Sequence, residues 1–434
     1  MHILPLRLIY IYKNKGHVNM KKLTVILVLL IACALCGCEI SVEPAKLPDN
    51  SLSLNEQTFE QLGIPQNDST ANDYKPVNFE KQVGMWFTYM DYKNILSGKS
   101  KNDFTDSVET AFRKSKDMGV NTLYIHVRAF GECYYKSELF PKSAEASSDY
   151  DSLEIMCDKA HELGLSVHAW INPLRCQTKE SMNKLKDKWL IKKWYNEKNG
   201  SYIVRVGEYY YLNPAYSEVR TLISDGFAEI ARNYAVDGFH IDDYFYPTTE
   251  ESFDESAFSA SDSNNLAQWR RENINLMVEE INTAIKSVND KLVFGISPQG
   301  NISSNINTQY ADVEKWADDG LCDYIIPQIY YGFRNESCPF EKTVSDWIEL
   351  TGDSKVKLVA GLCTYKIGQE DKWAGTGKNE WIEDKNITAR QAEYAAENNL
   401  GVAVYSFGST FSDTIETEQK SLSEAINKNY GGGS

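Results

Sequence analysis

Short β-rich segments alternate with amphipathic helical segments over most of the chain, and this alternation limits the possible folds more than any other feature. The β-rich segments lie at residues 84–89, 121–128, 166–172, 238–244, 293–298, 323–330, 357–365 and 401–407. Helical segments lie between them at residues 105–118, 150–163, 215–234, 265–287 and 388–399. Such repetition is typical of parallel strands joined by crossover helices. Eight units predict an α/β protein with a closed (β/α)₈ barrel of the TIM type.

The loops refine this prediction. No G-x-G-x-x-G motif follows the first strand, which disfavours an open dinucleotide-binding sheet. The strand-and-helix region is longer than the about 250 residues typical of the barrel. We therefore expect enlarged loops after two strands, at residues 173–214 and 245–264.

The N-terminal region has the composition of a targeting segment. Residues 20–38, MKKLTVILVLLIACALCGC, combine two lysines, an apolar stretch and small residues before a cysteine. This order predicts a secretory signal peptide, and L-C-G-C resembles a lipobox in which Cys38 is lipidated; a plain signal peptide is the alternative. The first predicted region is a signal peptide over residues 1–38, within which Met20 is the expected translation start. A flexible tether over 39–81, a barrel domain over 82–428 and a flexible tail over 429–434 follow it. We therefore expect an extracytoplasmic lipoprotein held at the membrane.

Charge and composition exclude some classes of partner. The formal net charge is −16, which argues against nucleic acid because phosphate contacts need a basic surface. Aromatic residues make up 12% of the chain, an amount that suits stacking on sugar rings. The nine cysteines include no C-x-x-C pair outside the N-terminal region, so that we expect buried thiols or isolated bridges instead of a zinc knuckle.

Polar side chains are expected to converge on the barrel axis, because alternate side chains of a strand point to opposite faces. On the second, third and fourth strands the inward side chains would be Tyr124, His126, Arg128, His168, Trp170, Asn172, His240 and Asp242. Burying such groups without partners costs about 1–3 kcal/mol each. They therefore predict a polar, solvent-reached cavity at the carboxyl ends of the strands, where this fold carries its catalytic groups.

Two adjacent carboxylates end the fourth strand, in the sequence DGFHIDDYFYP at residues 237–247. Period two directs Asp242 into the mouth of the barrel and turns Asp243 toward the rim or the next loop. Asp242 is therefore the candidate central carboxylate. The alternative is a structural acid that pairs with Arg128 or Arg175.

Cleavage of a glycosidic bond needs two acids, one that donates a proton and one that attacks the sugar or activates water. With Asp242 as nucleophile or electrostatic stabiliser, either Glu132 or Asp243 is the candidate proton donor. Asp91 and Glu336 are further carboxylates expected at the rim.

The remaining polar candidates concern metal and substrate. His126, His168 and His240 come from adjacent strands and raise the alternative of a three-histidine zinc site. A nearby Arg128 would repel a cation, so that we expect these histidines to hydrogen-bond a ligand, with no metal and no cofactor. Gln328 and Tyr330 are expected to orient hydroxyl or amide groups. The aromatic candidates are either stacking platforms or core residues: Trp170, Tyr244, Tyr246, Tyr330 and Phe333.

Six motifs in order resemble those of a known family. They are R-x-x-G-[DE]-x-x-Y from residue 128, H-A-W-x-N-P-x-R at 168–175, L-N-P at 212–214, the 237–247 segment, S-P at 297–298 and D-Y-I-I-P-Q-I-Y at 323–330. This set resembles the bacterial glycosyl hydrolase-like family ten, barrel lipoproteins similar to glycosidases, over residues 83–407. The resemblance implies a glycoside hydrolase that acts on bacterial cell-wall glycan (peptidoglycan) or a related amino-sugar polysaccharide.

The resemblance also implies a set of pocket residues. The family pattern falls on Arg128, Glu132, His168, Asn172, Arg175, His240, Asp242, Asp243, Gln328 and Tyr330. Glu132 stands where many relatives have Asp. The fourth strand is also similar to amylase-type and chitinase-type barrels, but His240 replaces the Arg of the first and no Glu follows as in the second, so that substrate-assisted hydrolysis stays open. The alternatives are a non-catalytic glycan-binding lipoprotein and a glycosidase of dietary or host polysaccharide.

Overall fold

The computed structural model describes residues 74–197 and 201–431. The predicted signal peptide, Cys38 and most of the predicted tether lie outside these residues. In chain order the described strands are β1 (Val83–Phe87), β2 (Thr122–Arg128), β3 (Ser166–Ile171), β4 (Arg175–Thr178), β5 (Ile203–Val206), β6 (Tyr209–Leu212), β7 (Gly238–Ile241), β8 (Val293–Ile296), β9 (Tyr324–Ile325), β10 (Lys357–Cys363) and β11 (Gly401–Tyr405).

The described α-helices are interleaved with these strands. They are α1 (Tyr89–Asp91), α2 (Lys101–Asp117), α3 (Ser152–Glu162), α4 (Lys179–Lys184), α5 (Leu190–Asn196), α6 (Ser217–Asn233), α7 (Glu255–Ser259), α8 (Leu266–Val288), α9 (Ile302–Thr308), α10 (Val313–Asp318), α11 (Phe340–Thr351), α12 (Glu380–Glu383), α13 (Ile387–Glu397), α14 (Phe407–Thr410) and α15 (Glu416–Tyr430). A π-helical turn covers Tyr92–Leu96, and 3₁₀ turns cover Glu251–Phe253, Gly375–Gly377 and Asp413–Ile415.

Eight parallel strands close into a barrel in the order β1-β11-β10-β9-β8-β7-β3-β2. Closure is made by β1, which pairs in parallel with β2 on one side and with β11 on the other. The predicted (β/α)₈ barrel is confirmed. Both predicted loop insertions are present: residues 173–214 contain a small antiparallel sheet in the order β4-β6-β5, and residues 245–264 contain short helical turns and α7.

Helix α2 shows how the local sequence sets the elements. Ser100 caps its N-terminus by accepting a hydrogen bond from the Asp103 amide, as N-cap serines do. Phe104, Val108 and Phe112 recur at helical spacing and are buried against the barrel. These contacts hold the helix against the outer face of the strands.

Large aromatic side chains fill the interior of the barrel. The inward-facing cluster consists of Trp86, Tyr124, Trp170, Tyr324, Ile326, Val359 and Ala403. Two glycines make room for the tyrosine rings: a Cβ on Gly84 would lie 2.3 Å from the Tyr124 ring, and one on Gly295 would lie 1.9 Å from the Tyr324 ring. The interior is therefore a packed layer on which the open end of the barrel rests.

Replacing Gly295 with Ala is expected to destabilise the fold by about 1–3 kcal/mol, because the added methyl group overlaps the buried ring of Tyr324. Urea unfolding followed by circular dichroism measures this loss. The same substitution in a Tyr324→Leu background should cost much less, since the clashing ring is gone. An equal cost in both backgrounds would mean that the ring contact is not the cause.

The segment of residues 74–81, which we call the floor segment, packs across the amino-terminal end of the barrel. The Tyr74 hydroxyl and the Val77 amide donate hydrogen bonds to the buried Asp237 carboxylate at 2.7 and 2.6 Å. Asn78 Oδ1 lies 3.2 Å from His168 Nε2. The prediction of a flexible tether over residues 39–81 is therefore wrong for its last eight residues, because buried polar groups of the barrel bind them.

The C-terminal boundary of the barrel domain also differs in detail from expectation. Helix α15 extends to Tyr430, whose hydroxyl donates to the Leu400 carbonyl at 3.1 Å, so that the predicted tail begins too early. The six described cysteines are free thiols. None of the described helices combines the length and the apolar character that crossing a bilayer requires.

Candidate active site

A cavity of about 770 Å³ opens at the carboxyl ends of the barrel strands. Its described lining residues are Trp86, Thr88, Tyr89, Met90, Asp91, Asn94, His126, Trp170, Asn172, Arg175, Asp242, Asp243, Tyr244, Gln328, Tyr330, Tyr365, Tyr405, Ser406, Gly408 and Ser409. Acidic, amide and aromatic side chains thus line one cavity. A concave site with aromatic walls and a few polar groups suits a polar, ring-shaped ligand.

Asp242 lies at the bottom of this cavity, directly after β7. It is 5% exposed, and its carboxylate accepts one hydrogen bond, from the Tyr244 amide at 3.2 Å. Burial and the neighbouring Asp243 carboxyl raise the pKa of Asp242 well above its usual range, and the Tyr244 amide, the nearby Trp170 indole and the charge of Arg175 offset the rise only in part. This setting favours the protonated acid.

Asp243 lines the same cavity as Asp242, and its side chain reaches Gln328, which follows a later barrel strand. The Gln328 side-chain amide donates to its carboxylate at 3.2 Å and to the Ser297 carbonyl at 3.0 Å. Burial raises the pKa of Asp243, while hydrogen bonds from glutamine side chains, Gln328 first, act against that rise. Amide donors stabilise the ionised form, so that the pair offers one acid and one base.

Three side chains beside Asp242 carry polar atoms without hydrogen-bond partners in the described protein. The His126 ring stacks on the Trp170 indole, with centroids 3.7 Å apart and an angle of 11°. Both ring nitrogens of His126, the indole N–H of Trp170 and the side-chain oxygen of Asn172 are buried and unpaired. Burial lowers the pKa of His126 to about 3, so that the ring is neutral. A ligand would satisfy these atoms, whose unpaired burial is otherwise costly.

Arg175, at the start of β4, lies on one wall of the cavity inside a cage of aromatic rings. Its guanidinium carbon lies 4.4 Å from the centre of the Phe130 ring, 4.6 Å from Tyr209 and 4.7 Å from Tyr244. No ion pair joins it to Asp242 within the described part of the chain. The alternative of a structural Asp242–arginine pair is therefore wrong for Arg175.

The prediction that Arg128 faces the cavity is wrong. The pairing of β2 with β3 shifts between His126 and Arg128, so that Val127 is an extra residue and the in–out alternation ends there. Arg128 points outward and lies 3.7 Å from the centre of the Phe140 ring. Gly226 on α6 leaves space for it, since a Cβ there would lie 2.5 Å from Arg128 Nη1.

His168 and His240 lie inside the barrel but below the cavity, so that their predicted place in a substrate pocket is wrong. Both approach the Tyr324 hydroxyl, at 2.7 Å from His168 Nδ1 and 3.3 Å from His240 Nδ1. The Trp86 indole donates to His240 Nε2 at 3.0 Å. Burial lowers the pKa of His168 to about 4. In the described ranges no group of three His, Cys, Asp or Glu side chains is arranged to hold a metal ion.

The other predicted carboxylates take structural positions. Glu132 lies outside the described cavity lining, where its carboxylate accepts a hydrogen bond from the Ser143 hydroxyl at 2.9 Å, so that it is not placed to protonate a ligand in this cavity. Asp91 lines the cavity, but its carboxylate accepts from the Thr88 amide and hydroxyl at 2.8 and 2.7 Å in a helix capping box. Glu336 is exposed outside the cavity lining.

Comparison with known proteins identifies the family. Residues 83–375 match the model of the family described as glycosyl hydrolase-like 10. The chain belongs to this family. Curated relatives include the proteins named glycosyl hydrolase DigH of Escherichia coli K12 and glycosyl hydrolase YngK of Bacillus subtilis 168, which are 28% identical over 291 residues and 29% identical over 283 residues. The matches cover 59% and 58% of this chain and 64% and 54% of those proteins, so that the chain spans less than two thirds of these relatives' length.

Solved structures resemble this glycosyl hydrolase-like 10 protein in fold. The glycoside hydrolase domain of PgaB (BpsB) from Bordetella bronchiseptica superposes with a TM-score of 0.52 at 12% identity, covering 80% of this chain and 99% of that one. The α-L-fucosidase isoenzyme 2 from Paenibacillus thiaminolyticus gives 0.53 at 14% identity, with 80% and 49% covered. At these identities the likeness shows the fold alone.

Several cavity residues of this glycosyl hydrolase-like 10 protein were not predicted from its sequence. Trp86 and Tyr405 lie on β1 and β11, Ser406 directly follows β11, and Tyr365 lies two residues after the end of β10. Period two applied to the first and last strands would have assigned Trp86 and Tyr405 to the interior. Of the predicted stacking residues, Trp170, Tyr244 and Tyr330 line the cavity, whereas Tyr246 and Phe333 pack against other aromatic rings elsewhere.

Proposed function

We propose that this protein is a lipid-anchored, extracytoplasmic glycoside hydrolase that cuts bacterial cell-wall glycan (peptidoglycan) or a related amino-sugar polysaccharide. Membership of the glycosyl hydrolase-like 10 family and the names of the curated relatives support hydrolysis of a glycosidic bond. The observation that carries the proposal is the pair Asp242 and Asp243, two carboxyl groups in one cavity whose surroundings favour different protonation states.

In this mechanism Asp242 is the proton donor and Asp243 the ionised partner. Asp242 has one weak amide donor and a like-charged neighbour, so that its proton is retained. Asp243 has the Gln328 amide to stabilise its negative charge. This reverses the role expected for Asp242 from the sequence, because burial and hydrogen bonding, which decide the assignment, are invisible there.

The reaction follows from these states. Asp242 transfers its proton to the glycosidic oxygen as the bond to the anomeric carbon breaks, and the leaving sugar departs as an alcohol. The Asp243 carboxylate stabilises the positive charge on the anomeric carbon. Water supplies a hydroxyl group to that carbon, and its remaining proton restores the protonated Asp242, so that one water is consumed for each bond cleaved.

The neutral groups of the cavity suit a sugar chain. His126 and Asn172 present unpaired atoms that can bond hydroxyl or acetamido groups, and Tyr244, 41% exposed, offers a ring face at the rim. None of these contacts requires a charged substrate, which is consistent with a glycan backbone.

Incubation of the purified protein with defined glycans tests the proposal. We expect new reducing ends from peptide-free cell-wall glycan strands, with products identified by mass spectrometry, and slower release from chitin oligosaccharides or plant polysaccharides. Binding without any cleavage would favour a glycan-binding protein, and preferential cleavage of plant or host polysaccharide would overturn the proposed substrate.

The anchor is tested by Cys38→Ala, which should move the protein from the membrane fraction to the soluble fraction.

The pH dependence of kcat/KM is expected to report both carboxyl groups. Activity should fall on the acid side as the pair's more acidic group, largely Asp243, gains a proton, and on the basic side as Asp242 loses its proton. Because both pKa values are raised, both limbs should lie above the pH of an ordinary aspartate. In Asp243→Asn, residual activity should lose its acid limb, and its basic limb should move to lower pH because the like charge is gone. Unchanged limbs would contradict this assignment.

A further inference from the structure

We infer that Arg175 forms a subsite for a carboxylate substituent of the sugar, so that the substrate of the proposed hydrolase is an acidic glycan. The inference rests on the proposed function and names the chemical class that the site selects. It depends on how the guanidinium is held, on what surrounds it and on which of its donors remain available.

Aromatic rings surround the guanidinium group of Arg175. A ligand would therefore contact it through the N–H donors that lie in the guanidinium plane. Phe130, Tyr209 and Tyr244 all have ring centres within 4.7 Å of the guanidinium carbon. Cation–π contacts of this kind fix the plane of the group without consuming its N–H donors. The buried Nε of Arg175 has no hydrogen-bond partner in the described protein.

The cage is built by three separate parts of the chain. Arg175 and Tyr209 are in contact across β4 and β6, where Arg175 pairs with Tyr211. Phe130 follows β2 and stacks on Tyr209 with centroids 5.8 Å apart, and Tyr244 follows Asp243. An arginine held in this manner is pre-organised, which lowers the entropy cost of binding a planar anion.

Arg175 has no acidic partner within ion-pair distance among the described residues. Among the described residues that line the cavity, it is the only lysine or arginine, and it makes no ion pair. The acids that share the cavity are Asp91, Asp242 and Asp243. Asp91 is occupied by Thr88, and Asp243 accepts from Gln328. A substrate carboxylate is the group that matches an edge-on guanidinium in geometry as well as in charge.

The consequence is selectivity among otherwise similar polymers. A neutral amino-sugar chain would leave the guanidinium donors without an anion, whereas a sugar that carries a uronic or ether-linked carboxylate would satisfy them. Loss of a charge-assisted hydrogen bond in a desolvated site corresponds to a change on the order of 10- to 100-fold in affinity. Arg175 thus acts as a specificity-determining residue, while bond cleavage belongs to the two aspartates.

A matched substrate pair tests this inference. One probe is a tetrasaccharide of alternating N-acetylglucosamine and N-acetylmuramic acid, which carries lactyl carboxylates, and the other is the same tetrasaccharide with those carboxylates converted to amides. We expect the wild-type protein to prefer the carboxylate form by about tenfold or more in kcat/KM. Arg175→Gln should remove this preference by lowering kcat/KM on the carboxylate form alone. Arg175→Lys should recover only part of it, because an ammonium group lacks the planar pair of donors.

Controls separate failure of the inference from failure of the proposed function. Calorimetric binding of both probes to the Asp242→Asn variant measures discrimination without turnover. Equal affinity for both probes, or an equal loss on both in Arg175→Gln, would overturn the carboxylate subsite even if the glycan is cleaved. Binding of neither probe would overturn it as well, and discrimination in binding without cleavage would instead count against hydrolysis. Arg205→Gln on β5 of the same small sheet, an exposed arginine outside the cavity, is the matched control and should change neither measurement.

Discussion

Asp242→Asn is expected to lower kcat by about 10²- to 10⁴-fold while leaving glycan binding nearly unchanged. The amide is isosteric with the acid but cannot transfer a proton to the leaving oxygen, and general acid catalysis contributes a factor of that size. The measurement is the rate of reducing-end formation at saturating glycan, together with calorimetric affinity. A variant that cleaves at the wild-type rate would show that Asp242 is structural.

The stability of the same variant provides the control for folding. The pKa of Asp242 is raised in the folded protein, so that the acid stabilises the fold below its unfolded-state pKa and this contribution is lost as the pH rises through the folded-state pKa. Asparagine has no proton to lose. Thermal unfolding should therefore show Asp242→Asn to be at least as stable as the wild type at neutral pH, with the difference growing toward higher pH. A clear drop in melting temperature at neutral pH would mean that lost activity reflects misfolding.

Arg270→Met is expected to destabilise the protein by about 3–5 kcal/mol, because it leaves a buried carboxylate without its partner. Arg270 donates to both oxygens of Asp254, at 2.9 and 2.6 Å, and both side chains are fully buried. It also donates to the carbonyls of Thr249 and Glu250, at 3.1 and 2.7 Å. The arginine therefore ties the loop of residues 245–264, which follows β7, to α8. Urea unfolding measures the loss, and limited proteolysis should detect cutting within the loop.

Two further variants make this result specific. Arg113→Met removes an arginine from a solvent-exposed pair with Glu109 and should have a much smaller effect, since exposed ion pairs contribute little. Asp254→Leu combined with Arg270→Met removes both charges and should recover much of the lost stability. If the double variant is no more stable than Arg270→Met alone, the unpaired carboxylate is not the main cause.

The sequence was sufficient to predict the barrel because strand periodicity, helix amphipathicity and loop composition are local signals. The same period correctly directs Trp170 and His240 to the interior. It fails at Arg128, where one extra residue in β2 shifts the alternation, and nothing in the composition of that strand announces the irregularity. The strand period also does not predict the position of a side chain along the barrel axis, which depends on the stagger of neighbouring strands. His168 and His240 point inward, as predicted, but lie beneath the cavity.

The candidate site was predictable only in part, for a related reason. Asp242, Asn172 and Gln328 end or follow strands, and the carboxyl ends of parallel strands meet at one face. The contacts that decide roles are side-chain hydrogen bonds, which strand periodicity does not specify. Glu132 is engaged by Ser143 and Asp91 by Thr88, and Asp243 is held by Gln328, which is 85 residues away in the sequence. A candidate carboxyl group can therefore be recognised in the sequence, whereas its protonation state and its role depend on contacts in the folded chain.

The floor segment has a consequence for access to the polymer. It crosses the end of the barrel where strands begin, and the cavity opens at the end where they finish. In the lipoprotein proposed above, this segment would connect the anchor to the end of the barrel opposite the cavity. Glycan strands would then enter the cavity from the side of the barrel that faces away from the attachment.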